Sequence, residues 1–174
     1  SSTGLSQTCI IARKERDRIT VIADARITNF QVIGNAPGSV TAAGELKKIG
    51  GNGRDIFFAV AGMDVYQSKQ IASDLCKRGI SLDSVVSEYI KERKGSLLNF
   101  SSSVENQSQE QYYMTMGNRT ISSAFFFGFI NDSAKLVQVI FSPIQYPLGD
   151  GKFGPVQIHV LKLNEYDGFD DQPA

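Results

Sequence analysis

Thr8-Cys9-Ile10-Ile11-Ala12-Arg13-Lys14-Glu15-Arg16-Asp17-Arg18-Ile19-Thr20-Val21-Ile22-Ala23-Asp24-Ala25-Arg26 is the stretch on which the fold turns. Two apolar, β-branched runs, 8–12 and 18–23, flank five consecutive charged residues that suit a solvent-exposed turn, so the segment reads as a β-hairpin. Asp24-Ala25-Arg26 closes it. Leu46-Lys47-Lys48-Ile49 follows further on, and Ala61-Gly62 comes next, with Gly62 fourteen residues after Lys48. A hydroxyl, a carboxylate, a lysine and a glycine amide in that order can together make a hydrolytic centre without histidine.

Histidine is scarce enough to matter. His159 is the single one in 174 residues, which argues against His-ligated metals and against Ser-His-Asp or Cys-His catalysis. It stands in Val156-Gln157-Ile158-His159-Val160, whose alternation reads as a strand with a structural histidine. Cys9 and Cys76 have no metal-type spacing and read as small buried hydrophobes. No metal and no organic cofactor is expected.

Lysine plus arginine and aspartate plus glutamate both total 18 and no long basic run occurs, so no nucleic-acid footprint is expected. The longest apolar stretches, 57–62 and 124–130, are too short to span a bilayer as a helix, and no membrane partner is expected. No charged region followed by an apolar signal core precedes Cys9, which favours the cytoplasm. The start at Ser1 leaves a removed signal peptide open.

Beyond the first hairpin, residues 29–45 carry the loop chemistry of Asn35-Ala36-Pro37-Gly38-Ser39 and read as a long surface excursion. Lys48-Ile49, the turn Gly50-Gly51-Asn52-Gly53 and residues 56–61 predict a second strand pair. Asp64 is placed to cap a helix whose stripe is Val65, Ile71, Ala72, Leu75 and Cys76, ended by Gly79. A second helix begins near Ser81, with Leu82, Val85, Val86, Tyr89 and Ile90 on one face and Asp83, Glu88, Lys91 and Glu92 on the other. The pair should cover one side of a sheet. Residues 101–111 read as a polar connection, 121–130 and 135–141 as a hairpin around Asn131-Asp132-Ser133, and 156–163 as a further strand. Segregated strands and helices, with no alternating βαβ pattern, predict an α+β fold with antiparallel sheets.

The ordered set of residues resembles the proteasome β-subunit and its bacterial relatives, in the N-terminal-nucleophile hydrolase superfamily. The resemblance runs from about Thr8 to Ile90. In that family a nucleophilic threonine opens the first strand, an Asp-x-Arg begins sixteen residues later, a Lys-Lys-Val/Ile follows a loop, and Ala-Gly lies fourteen residues past the catalytic lysine. Here Thr8 to Asp24 is sixteen residues and Lys48 to Gly62 is fourteen.

The resemblance implies an αββα-type antiparallel sandwich. It implies Thr8 as nucleophile, Lys48 as the group tuning its pKa, Asp24 holding that lysine, Arg26 supporting the site through hydrogen bonds, and Gly62 supplying the oxyanion amide. The corresponding pocket for the substrate residue before the cut is Ile27, Leu46, Gly50, Val60, Asp64 and Ser68, a mixed set that implies no sharp preference. The implied activity is that of a threonine-type peptidase or amidohydrolase acting on a peptide or amide substrate after self-cleavage. The implied assembly is a homo-oligomer such as a ring.

On these boundaries residues 1–7 form an N-terminal extension or propeptide remnant, 8–163 the proteasome-like domain and 164–174 an acidic tail. Taken singly, each residue also has a plain structural role: Thr8 in a strand, Asp24 in a turn, Lys48 at a solvated strand end, Gly62 at a helix start.

Three departures from the family pattern stand out. Gln7, not glycine, precedes Thr8, and residues 1–7 are still attached; an amine locked in a peptide bond cannot act as base. The segment between Arg26 and Lys48 is about eight residues longer than in typical members. After Phe153 the family's Gly-Ser-Gly turn, two further helices and closing strand are not found, so either the sequence omits a segment or the domain lacks one helical layer and depends on a partner to cover its sheet. The attached extension supports an alternative reading, a non-catalytic subunit that keeps it and serves in assembly; retention of Asp24 and Lys48 counts against that reading, because a scaffold has no chemical need for the pair.

Overall fold

The computed structural model describes residues 10–23, 28–36, 39–44, 49–105 and 120–164. The first hairpin forms as its alternation requires: β1 (Ile10–Lys14) pairs antiparallel with β2 (Arg18–Ala23), Ile10 opposite Ala23 and Lys14 opposite Ile19. β1 continues two residues into the charged stretch, which leaves Glu15-Arg16-Asp17 as the turn, closed by a 2.8 Å bond from the Glu15 N–H to the Arg18 carbonyl.

The expected surface excursion at 29–45 is instead a second hairpin. β3 (Thr28–Ala36) pairs with β2, and β4 (Ser39–Gly44) pairs with β3, giving a four-stranded sheet in the order β1-β2-β3-β4. Ala36 at the end of β3 pairs with Ser39 at the start of β4, and the two residues between them lie outside the described residues. Val32, Ile33, Val40 and Thr41 are β-branched, and pairing satisfies the main-chain groups along the second edge of β2.

β5 (Ile49–Gly51) and β6 (Ile56–Gly62) form the second strand pair. Their turn is held by Asn52, whose Oδ1 accepts from the N–H groups of Arg54, Asp55 and Ile56 at 2.8, 2.9 and 3.2 Å. Asp64 caps α1 (Val65–Cys76) as expected, its carboxylate accepting from the Gln67 N–H at 3.4 Å. Ser81 does the same for α2 (Leu82–Glu105), its Oγ accepting from the Ser84 N–H at 3.2 Å. α2 takes in residues 101–105, expected in a polar connection; serines resist a helix only weakly, and no proline interrupts the run. The remainder of that expected connection lies outside the described residues.

β7 (Ser122–Ile130) and β8 (Ser133–Ile144) are joined by Asn131 and Asp132 at φ 51° and 63°, the left-handed pair of a two-residue hairpin turn. A small hairpin of β9 (Pro147–Gly149) and β10 (Lys152–Phe153), which no sequence pattern announced, leads to β11 (Gln157–Asn164). Asn164, assigned to the tail by sequence, closes this last strand. The second sheet is ordered β11-β8-β7-β6-β5, with each neighbouring pair antiparallel.

β6 and β7 bury both faces, which is why they read as continuous apolar runs. On one side Phe58, Val60, Phe126, Val139 and Phe141 meet Ala72, Leu75, Val85, Val86 and Tyr89 of the helices. On the other, Phe57, Ala59, Phe125, Phe127 and Leu136 meet Ile19 and Val21 of the four-stranded sheet. Burying each of these large side chains contributes roughly 1.5–3 kcal/mol before entropic costs.

The layers are therefore helices, five-stranded sheet, four-stranded sheet: an α+β fold with antiparallel sheets. Among the described residues both helices pack on the five-stranded sheet, and Ile11 and Ile22, opposite each other in register, are 60% and 40% exposed on the outer sheet. Cys76 is buried in the helix-side core, and burial pushes its thiol up to about 12. His159 is exposed on β11 opposite Ser142, a strand position as expected.

Candidate functional site

Thr8, Asp24, Arg26, Ile27, Leu46 and Lys48 lie outside the described residues. Gly50, Val60, Gly62, Asp64 and Ser68 lie within them, and so do the strand ends that flank the first group.

Gly62 ends β6 at φ 111°, a region open to glycine and strained for other residues. A Cβ there would strike the Ile121 carbonyl oxygen and come within 2.7 Å of the Ser122 Cα. Glycine is thus required twice over, by conformation and by the close pass of β7.

The direction of the Gly62 amide follows from the ladder. Main-chain groups alternate sides along a strand. The Met63 N–H donates to the Ile121 carbonyl at 2.8 Å and the Asn52 N–H donates to the Ile56 carbonyl at 3.0 Å. Odd-numbered residues of β6 accordingly face β7 and even-numbered ones face β5, so the Gly62 N–H points to the β5 side. β5 as described begins at Ile49, opposite Ala59.

Connectivity relates this point to the other sheet. The start of β1, the end of β2, the start of β3 and the end of β4 share one end of the four-stranded sheet: Ile10 pairs with Ala23, Ala23 with Thr28, and Phe30 with Gly44. Residues 45–48 then connect Gly44 to Ile49, which cannot lie more than about 18 Å away. Antiparallel pairing puts the start of β5 at the same end of its sheet as Gly62.

Behind Gly62 is a polar group of residues inside the core. Arg93 of α2 is 1% exposed. Its Nε donates to Ser122 Oγ at 3.2 Å, its Nη1 to Gln67 Oε1 at 3.3 Å and Ser96 Oγ at 3.4 Å, and its Nη2 to the Met63 carbonyl. Beside it, Ser68 Oγ and Tyr89 Oη share a 3.0 Å hydrogen bond. Burial lowers the Arg93 pKa, opposed by the neighbouring Tyr89 and the charge of Asp64; burial raises that of Tyr89, opposed by hydrogen bonds from Ser68 and by Arg93. Ser68, Tyr89, Arg93 and Ser122 are all closed to solvent, so they hold structure and meet no substrate directly.

The expected pocket residues divide accordingly. Asp64 is exposed and engaged as the cap of α1. Gly50 sits beneath the Phe58 ring, where a Cβ would come within 2.7 Å of it. Val60 and Ser68 are fully buried, Val60 in the helix-side core and Ser68 against Tyr89, so neither presents a surface to a ligand.

Sequence reasoning missed Arg93. The available signal was its spacing, since Arg93 continues the buried stripe of Val86, Tyr89 and Leu97 at helical intervals, a place where a charge requires partners. Among the described residues no group of three or more His, Cys, Asp or Glu is placed to hold a metal ion, and no helix is long and apolar enough to cross a membrane. No protein-family model, curated protein or solved structure matches the chain.

Proposed function

We propose that the protein is a threonine-type N-terminal-nucleophile hydrolase of the proteasome-like kind, acting on peptide or amide bonds as a homo-oligomer. The fold it would use is the αββα sandwich, of which the described residues supply one helical layer and the two sheets. The observation that carries this reading is the Gly62 amide: an N–H directed away from β7, at a strand-to-helix turn where a side chain is forbidden, at the end of its sheet where β5 begins just after Lys48. The short connection between Gly44 and Ile49 supports bringing the ends of β1 and β2, beside Thr8 and Asp24, to the same side of the molecule.

Activation begins with self-cleavage. Thr8 Oγ attacks the Gln7 carbonyl, the peptide bond gives way to an ester, and water hydrolyses that ester to release residues 1–7 and leave a free α-amine on Thr8. In turnover the α-amine takes the Oγ proton as Oγ attacks the substrate carbonyl. Lys48, held by Asp24, lowers the pKa of the groups beside it, and the Gly62 N–H donates to the tetrahedral oxyanion. The proton passes to the leaving amine, and water releases the acyl group.

Gln7 in place of a glycine before Thr8 favours a second reading, a non-catalytic assembly subunit. The exposed Ile11 and Ile22 on the outer sheet suit association under either reading. Mass spectrometry of the incubated intact protein separates the two. The hydrolase reading requires a species beginning at Thr8 that Thr8→Ala abolishes. Protein that retains Ser1 while hydrolysing peptides refutes the free-amine mechanism, and protein that retains Ser1 and is inert is the assembly subunit.

A further inference from the structure

A charge fully inside a core is costly unless its geometry does something that packing cannot. Arg93 donates to Ser122 Oγ, Gln67 Oε1, Ser96 Oγ and the Met63 carbonyl, and all four acceptors are neutral. None of the ion pairs among the described residues includes it. The carboxylate whose charge acts on it is that of Asp64, itself exposed and occupied as a helix cap. For filling space, methionine or leucine would serve α2 at this point without desolvating a guanidinium.

Three of the four acceptors have one thing in common, Ser96 being a neighbour on α2 itself. Met63 is the residue after Gly62, Ser122 faces Gly62 across the β6–β7 ladder, and Gln67 lies in the first turn of the helix that Gly62 leads into. One planar fork thus ties the strand, its ladder partner and the following helix at the point where the chain leaves β6. The donors are directional, which a methionine's contacts are not. Anchoring the Met63 carbonyl fixes the Met63–Asp64 peptide plane, and the Met63 N–H bond to Ile121 fixes the plane before it. The Gly62 N–H belongs to the Ala61–Gly62 plane, which the β6–β7 ladder holds on one side and the fixed Gly62–Met63 plane on the other.

We infer that Arg93 is the positioning residue of the Gly62 amide, holding from inside the core the turn that presents the oxyanion donor. This rests on the hydrolase reading for its catalytic meaning. Its structural content does not. Arg93 touches no substrate. It acts by keeping the donor pre-aligned, so that the turn does not reorganise when charge develops on the substrate oxygen.

The test uses the full chain with Arg93→Met and Arg93→Lys, read first by residue-resolved amide hydrogen exchange. The reporters are Met63, bonded to Ile121, and Ser68, bonded to the Asp64 carbonyl; the reference is Val85, bonded to the Ser81 carbonyl at the start of α2. In Arg93→Met the two reporters should exchange roughly tenfold to a hundredfold faster while Val85 changes little, and Arg93→Lys should recover part of the protection. Peptide hydrolysis should lose kcat with KM nearly unchanged, and a peptide aldehyde, which forms the tetrahedral adduct, should weaken in parallel. Equal acceleration at all three amides, or none, overturns the positioning role in favour of plain packing. A wild-type protein that never hydrolyses peptides removes the catalytic meaning, while the exchange pattern still decides whether the clamp exists.

Discussion

Gly62→Ala puts the geometry of the turn to a quantitative test. Alanine at φ 111° gives up roughly 1–2 kcal/mol to backbone strain. Its Cβ would also meet the Ile121 oxygen, and would lie 2.7 Å from the Ser122 Cα and 3.0 Å from the Ile121 carbonyl carbon, where ordinary contacts begin near 3.4 Å. These are main-chain atoms that no rotamer change can move, so β6 and β7 must separate locally at a cost of about 1–3 kcal/mol. The sum, about 2–5 kcal/mol, is a large share of the ~5–15 kcal/mol that stabilises a domain.

At roughly 2–4 °C per kcal/mol for a chain of this size, Tm should fall by about 4–20 °C. Gly95→Ala is the matched control. Gly95 lies within α2 with open space around its missing Cβ, so the same substitution should gain up to about 1 kcal/mol and raise Tm by a few degrees. Circular-dichroism melts of both variants, with urea titrations to verify an unchanged m value, decide the matter. If Gly62→Ala melts within about 2 °C of the parent, or is stabilised like Gly95→Ala, the account of the β6–α1 turn is wrong.

Tyr89→Phe removes the hydroxyl bonded to Ser68 inside the core and should cost about 1–3 kcal/mol in urea titrations, because the buried serine loses its partner; an unchanged midpoint refutes that bond. Cys76, with its thiol pushed from 9.0 up to about 12 by burial, should resist a thiol reagent at pH 8 in native protein and react only on unfolding. The same shift sets a pH dependence. The unfolded thiol ionises near pH 9 while the folded one keeps its proton, so stability present below pH 9 should be lost between pH 9 and about 12, at up to about 1.4 kcal/mol per pH unit. Tyr89, also raised by burial, works in the same direction, so Cys76→Ala should flatten the slope only in part. Thr8→Ala should abolish loss of residues 1–7 while leaving the oligomeric state by light scattering unchanged; a stable wild-type monomer would count against ring assembly.

How much was legible without coordinates differs element by element. The first hairpin, the Asn52 turn, the Asp64 and Ser81 caps and the Asn131-Asp132 turn were all written locally, because each depends on φ/ψ preference or a side chain bonding to main chain a few residues away. The 29–45 segment reads as a loop because its turn residues suit a hairpin tip and a loop equally; what distinguishes them is β2's second edge, which the local sequence does not contain. For the candidate site, sequence nominated Gly62 through spacing and Asp64 through capping. It could not find Arg93, whose partners Met63 and Ser122 are 30 and 29 residues away.

The sequence by itself therefore determined the α+β class, the first hairpin, the strand pair at 49–62, the β7–β8 hairpin and both helices, together with an ordered set of Thr8, Asp24, Lys48 and Gly62 at spacings that resemble one hydrolase family. These are properties of short windows and of counting. Only the tertiary structure decided that β3 and β4 extend the first sheet, that both helices lie on the second, that the Gly62 amide faces the β5 side, and that a buried guanidinium holds the turn behind it. Each of those depends on which main-chain and side-chain donors find partners across a distance in sequence, and burial makes that pairing obligatory.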